Sequence, residues 1–165
     1  MTLAAPPPYV AEPADGAGVR DTVLSIWRNN LGDATRMAAK YDWFYRDAPL
    51  GAPLTMILRH SASGEAVGAA SAGPRRMRID GRDVLAGVLV DLAVLPAHRT
   101  LGPALILQQS LIDAAAGRFE FIYGFPNEKA APVFKRVGYR AIGDLVRYAR
   151  VLRHRGYLRR IMPAP

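Results

Sequence analysis

Apolar and polar positions divide the chain into stretches of different period. Val23, Leu24, Ile26 and Trp27 cluster on one face of a predicted first helix that Asp21 could cap and Gly32 would end. Asp33 can cap a second helix, which carries Met37, Ala38, Tyr41 and Phe44 at helical spacing before Pro49-Leu50-Gly51 breaks the chain. A meander follows. Leu54 to Arg59 reads as a strand, Ser61 to Gly64 as a turn, and Ala66 to Met77 as a second strand with a break at Gly73-Pro74. Asp80-Gly81 between two apolar runs is a hairpin signal, and Val84 to Leu95 is apolar enough for a strand buried on both faces. Beyond Pro96 the pattern predicts a helix from Pro103 to Ala116, with Leu105, Ile106, Leu107, Leu111 and Ile112 offering an apolar face. Then come a strand from Phe119 to Phe125, a helix from Glu128 to Val137 with Gly138 as its C-cap, and two last strands, Tyr139–Ile142 and Leu145–Leu152. There is no internal repeat. This order implies an α/β fold: a mixed sheet flanked by helices.

Composition narrows the picture. A chain of 165 residues, half hydrophobic and 22% charged, suits one globular domain. Residues 1–18, rich in Pro, Ala and Gly, read as a flexible lead-in with a short strand near Tyr9-Val10; the domain proper spans 19–152 and a basic tail 153–165. No apolar run approaches the roughly 20 residues of a membrane span. The N-terminus lacks the pattern of a secretory signal, so the cytoplasm is the default expectation. With no cysteine, thiolate nucleophiles and disulfides are excluded. His60, His98 and His154 lie far apart in sequence without metal-ligand spacing, and no metal is expected. The net charge of +8 and the arginine-rich end attract polyanions in general, whether nucleic acid, anionic lipid or a phosphate-rich cofactor, and also suit a solvated tail. No nucleic-acid reader motif accompanies that charge.

The segment from Asp91 to Leu107 carries the most chemistry. A buried strand ends at Pro96, a short turn follows, and a helix opens. The first N–H groups of a helix lack internal partners and favour an anion. Gly102 lets the backbone approach a ligand closely, and Pro103 fits the first helical turn. Arg99-Thr100-Leu101-Gly102-Pro103-Ala104 could therefore cradle a phosphate. Such turns also open helices that bind nothing, so this segment alone leaves both readings standing.

The segment resembles the pattern of the GNAT acyltransferases: a strand, Arg/Gln-x-x-Gly-x-Gly/Ala, and a helix, matched by Arg99, Gly102 and Ala104. A second landmark, Asn127 to Tyr139, is similar to that family's Asn-x-x-Ala-x-x-x-Tyr-x-x-x-Gly-Phe segment through Asn127, Ala130, Gly138 and Tyr139. One helix and one strand separate the two, as that fold requires. The resemblance implies a central strand splayed from its neighbour and an acyl-CoA, acetyl-CoA first of all, lying in the gap. Its pyrophosphate would meet the Arg99–Ala104 turn, its pantetheine arm would pair with Leu92, Ala93 and Val94, and Asn127 would bond that arm or adjacent backbone. An amine acceptor, small molecule or peptide, would attack the thioester directly.

Asp91, which interrupts an apolar strand, is the expected base by that resemblance, with a structural partner as the other reading. Two departures stand out. Pro103 removes one N–H from the cradle. Phe134 lies along the expected acyl-CoA site where many members place a proton-donating tyrosine; Tyr123 and Tyr139 are substitutes by residue type. A non-catalytic acyl-CoA-binding module and a basic nucleic-acid-binding domain are the alternative readings, the latter disfavoured, and a homodimer is left open. Trp43, Phe44 and Tyr45 border the expected acceptor pocket, with core packing the first reading for Trp43 and Phe44. Arg75, Arg76 and Arg78 read as a solvated strand edge.

Overall fold

The structure, a computed structural model, describes residues 7–14, 18–28, 30, 31, 33–146, 148 and 150. Five strands form one sheet in the order β1-β2-β3-β4-β5: β1 (Tyr9–Pro13), β2 (Leu54–His60), β3 (Ala66–Ile79), β4 (Arg82–Val94) and β5 (Phe121–Gly124). The first four are antiparallel neighbours, and β5 joins β4 in parallel. That parallel step needs a crossover, supplied by α3 (Leu101–Ala115). The remaining helices are α1 (Val19–Trp27), α2 (Ala34–Tyr41) and α4 (Ala131–Arg136).

Both faces of the sheet are covered. On one, Met56, Leu58, Ala70 and Leu89 pack with Leu107 and Leu111 of α3 and with Phe134 of α4. On the other, Ile57, Ala69 and Ala93 pack with Val23, Ile26 and Trp27 of α1, Met37 of α2, and Phe44 and Tyr45. This explains why β2 to β4 read as nearly continuous apolar runs. The predicted hairpin is present, with Asp80 at φ 50° and Gly81 at φ 80° joining Ile79 to Arg82. Both residues take the left-handed conformation that a two-residue turn demands.

Several expectations need correction. Asp21 lies exposed in the first turn of α1, and Gly18 occupies the cap position. Gly32, proposed to end that helix, lies outside the described residues, as do His154 and the basic tail. Asp33 does cap α2, accepting from the Thr35 amide at 2.9 Å. The break at Gly73-Pro74 does not occur. Pro74 pairs with Gly87 beyond the last β2 partner, Ala72, so one edge of β3 is open there and a missing N–H can be tolerated. Gly73 serves packing instead: a Cβ on it would stand 2.5 Å from Phe44 Cζ.

The strand expected over Tyr139–Ile142 is absent, and of the one expected over Leu145–Leu152, residues 147, 149, 151 and 152 lie outside the described residues. Residues 140–146, 148 and 150 form no ladder, and Ile142, Leu145, Val146 and Tyr148 are exposed. An alternating pattern marks residues able to pair, but pairing also requires an edge to meet, and the four-residue β5 offers little. Trp43, read first as core, is 69% exposed, whereas Phe44 and Tyr45 are buried. The cause is a π-helical turn over Asp42–Arg46, closed by the Asp47 amide on the Asp42 carbonyl. One extra residue in the turn rotates Phe44 and Tyr45 together toward the sheet.

Candidate active site at the parting of two strands

β4 and β5 pair from Ala86↔Phe121 to Leu89↔Gly124 and then separate. β4 continues five residues further, Val90 to Val94, with no ladder on that side among the described residues. Leu92, Ala93 and Val94 therefore lie on a strand edge open beside a gap. The geometry is that of a slot with backbone hydrogen-bonding groups along one wall.

At the head of the slot the β3–β4 ladder slips. Ala69 faces Ala93 while Ser71 faces Val90, so β4 carries an extra residue between them. Asp91 lies in this bulge at φ 58°. Regular alternation would send Asp91 to the same side as Leu89, under α3. The bulge sends it to the α1/α2 side with Val90. There its carboxylate, 8% exposed, accepts hydrogen bonds from Lys40 Nζ on Oδ1 and from Tyr45 Oη on Oδ2, the latter at 2.9 Å. Tyr45 Oη also stands 3.0 Å from Ser71 Oγ, which stands 2.9 Å from Thr55 Oγ1. Since Tyr45 has one proton and gives it to Asp91, Ser71 supplies the proton for one of its own contacts. Burial, and the Asp91 charge next, push the Tyr45 phenol well above its ordinary pKa. A cleft of about 390 Å³ opens over this carboxylate, lined by Trp27, Leu31, Asp33, Arg36, Met37 and Lys40 as well as Asp91.

The start of α3 offers an anion site. Thr100 makes no side-chain cap, and its own amide is taken by the His98 carbonyl at 2.8 Å. Pro103 has no N–H. The amide of Gly102 thus remains without a hydrogen-bond partner among the described residues. A Cβ on Gly102 would meet no atom within 4 Å. Protein packing therefore does not require a glycine there, whereas a close ligand would. These features fit a phosphate-bearing co-substrate.

The Arg99 side chain is occupied elsewhere, donating from Nε to the Val94 carbonyl at 3.1 Å and from its other end to Asn30 Oδ1. It ties the end of β4 to the segment after α1, and so frames the cradle turn. Asn127 bonds adjacent backbone, its Oδ1 accepting from the Ala130 amide at 3.0 Å ahead of α4. Phe134 is buried, its ring against Tyr139 at 5.1 Å between centroids.

The two tyrosines proposed as proton donors lie on opposite faces. Tyr123 pairs in register with Val88, which belongs to the α1/α2 face, so it shares the side of Asp91. Tyr139 packs on the α3/α4 side, and its hydroxyl is buried with no partner among the described residues. Burial raises the Tyr139 phenol above its ordinary range. The histidine expectation also changes: the His60 and His98 rings lie 5.2 Å apart, with Tyr9 Oη sharing a 3.0 Å hydrogen bond with His98 Nδ1. Among the described residues no cluster of three His, Cys, Asp or Glu could hold a metal ion.

Sequence reasoning missed Lys40, Ser71 and Thr55. The spacing of Lys40 three residues after the buried Met37 was the one signal that its stem follows the inward face of α2.

A sheet whose central strand parts from its parallel neighbour beside an uncapped helix start defines an acyl-CoA-dependent transferase. The model of the Acetyltransferase (GNAT) family matches residues 20–139, and the chain belongs to that family. It is an N-acetyltransferase with an acyl-CoA as co-substrate. No curated protein sequence matches it. Solved structures similar in fold include an acetyltransferase of Trypanosoma brucei (19% identity, TM-score 0.62, 86% of this chain and 99% of that one). Aminoglycoside N-acetyltransferase AAC(6')-Iy in complex with CoA is another (15%, 0.66, 88% and 98%). A third is a predicted acetyltransferase with acetyl-CoA from Clostridium acetobutylicum (13%, 0.66, 86% and 96%). No described helix is long and apolar enough to cross a membrane.

Proposed function

We propose that the chain transfers an acetyl group from acetyl-CoA to a primary amine held in the cleft over Asp91, which takes the amine's proton. The observation that carries this reading is the bulge. It costs β4 a regular pair and puts a non-glycine residue in the left-handed region, and its result is a nearly buried carboxylate aimed at an open cleft at the head of the slot.

The co-substrate's pyrophosphate rests on the Leu101 and Gly102 amides, within the turn from Arg99 through Thr100 and Pro103 to Ala104. Its arm lies along Leu92, Ala93 and Val94, past Phe134 and the segment that Asn127 holds. Asp33 and Asp91 draw a cationic amine into the cleft, and the Trp27 ring offers it an apolar and cation-binding wall. Tyr45 fixes the carboxylate's direction. The leaving thiolate needs a proton that Phe134 cannot give. Tyr139, against Phe134 and with a hydroxyl that has no partner among the described residues, fits this role from the face opposite Asp91, whereas Tyr123 shares the face of Asp91.

The test is release of coenzyme A across a panel of small amines, amino sugars and peptides, with Asp91→Asn beside the parent chain. The expected loss in kcat/KM is on the order of 10²- to 10⁴-fold, as for a positioned general base, with acetyl-CoA affinity unchanged. Full activity in Asp91→Asn would refute the assignment.

A further inference from the structure

One amine is already seated on Asp91. Lys40 Nζ bonds Oδ1, and it stands 4.9 Å from the Trp27 ring centroid. Its side chain is 45% exposed, open to the cleft, while the carboxylate beneath is nearly buried. Nζ is a primary amine on an unbranched alkyl stem, chemically the same nucleophile as an alkylamine acceptor. While it stays an ammonium on Asp91, that carboxylate has one oxygen engaged by Lys40 and the other by Tyr45, and it is poorly placed to serve an external amine.

We infer that Lys40 is an acyl acceptor of this chain's own reaction: Nζ is acylated from acyl-CoA in the same molecule, and this frees Asp91 for external amines. The inference rests on the proposed role of Asp91 and on acyl-CoA lying in the slot. Asp91 takes one proton from the Lys40 ammonium and passes it to solvent. The neutral Nζ attacks the thioester carbonyl, the C–N bond forms, and the C–S bond breaks. The amine's second proton goes with the coenzyme A thiolate to give the thiol. The products are the Lys40 amide, coenzyme A and one released proton. The amide carries no charge, so it holds neither the ion pair with Asp91 nor the cation contact with Trp27.

The chain has only two other lysines, Lys129 and Lys135, both exposed and neither in the cleft, so each molecule carries its own controls. The full chain is incubated with acetyl-CoA, quenched at intervals, digested after basic residues, and followed by mass spectrometry. Acetylation blocks cleavage after Lys40 and leaves Met37–Arg46 as one peptide. The expected result is labelling of Lys40 about ten-fold or more faster than of Lys129 or Lys135, at a rate per molecule unchanged by dilution. Asp91→Asn lowers the Lys40 rate by about the same factor and leaves the other two alone. The parent chain unfolded in urea labels all three lysines alike, a comparison that stands even if Asp91→Asn does not fold. Equal labelling in the native chain, or a per-molecule rate that falls on dilution, overturns the inference. Calorimetry with acetyl-CoA and coenzyme A release with the amine panel separate the two claims. A chain that binds acetyl-CoA and acetylates an amine but leaves Lys40 unlabelled overturns self-acylation alone. One that does not bind acetyl-CoA overturns both.

Discussion

Gly102→Ala separates folding from ligand binding more cleanly than any other change in the cradle. Beyond its chain neighbours and its own helix, the new Cβ would meet no atom of the described residues within 4 Å, and Gly102 lies in the first turn of α3 outside the positive-φ positions. Folding should therefore be unharmed, or favoured by about 0.5–1 kcal/mol because alanine restricts the unfolded chain. The same methyl group stands where a pyrophosphate would approach the Leu101 and Gly102 amides. A hydrogen bond from an amide to a charged group contributes roughly 1.5–3 kcal/mol. Losing or lengthening one weakens binding by about 10- to 150-fold. Titration calorimetry with acetyl-CoA and a thermal melt without ligand, in the same buffer, measure both terms. The expected pair of results is an unchanged or slightly higher Tm and a much larger Kd. An unchanged Kd would refute the placement of the cradle; a lowered Tm would refute the claim that the described residues leave that space open.

Tyr45→Phe removes the donor to Asp91 Oδ2 from a buried site and should cost about 1.5–3 kcal/mol, or roughly 3–12 °C in Tm for a chain of this size; an unaltered melt would show that the Tyr45–Asp91 bond contributes nothing. Because the folded state raises the Tyr45 phenol, the stabilisation tied to its proton is complete below the unfolded value of about 10 and is lost as pH rises from there toward the folded value. Denaturant midpoints between pH 8 and 11 should fall less steeply in Tyr45→Phe than in the parent, and parallel curves would contradict this. Gly73→Ala drives a methyl group to 2.5 Å from Phe44 Cζ and should destabilise by about 1–3 kcal/mol, seen as a lower urea midpoint with unchanged slope; a midpoint equal to the parent's would mean that Phe44 moves freely.

What could be read in advance was what short stretches of chain decide by themselves. The Asp80-Gly81 turn, the Asp33 cap, Gly138 at φ 96° after α4, and the uncapped turn before α3 each follow from local geometry, and each is in place. Asp91 was visible because a lone carboxylate in an apolar strand needs a reason. Its partners were not visible. Lys40 and Tyr45 lie 51 and 46 residues away, and they meet Asp91 only because a one-residue slip in β4 turns Asp91, and a five-residue turn after α2 turns Tyr45, toward the α2 face that carries Lys40. Neither irregularity leaves a periodic trace. The proximity of His60 to His98 was hidden likewise, since it depends on where the β1–β2 edge ends relative to the turn after β4. The C-terminal alternation misled in the opposite sense: Ile142 and Val146 have strand-forming side chains without a neighbouring ladder to join.

On the role proposed for Asp91, its left-handed backbone sets folding and chemistry against each other at a single codon. A residue without a Cβ would sit there with less strain, but it would give up the hydrogen bonds that Asp91 accepts from Lys40 and Tyr45. With Asp91 as the proposed base, selection on turnover should hold the aspartate however much the scaffold around it changes, whereas laboratory evolution for heat resistance alone is free to trade it for glycine wherever relief of backbone strain outweighs those two bonds.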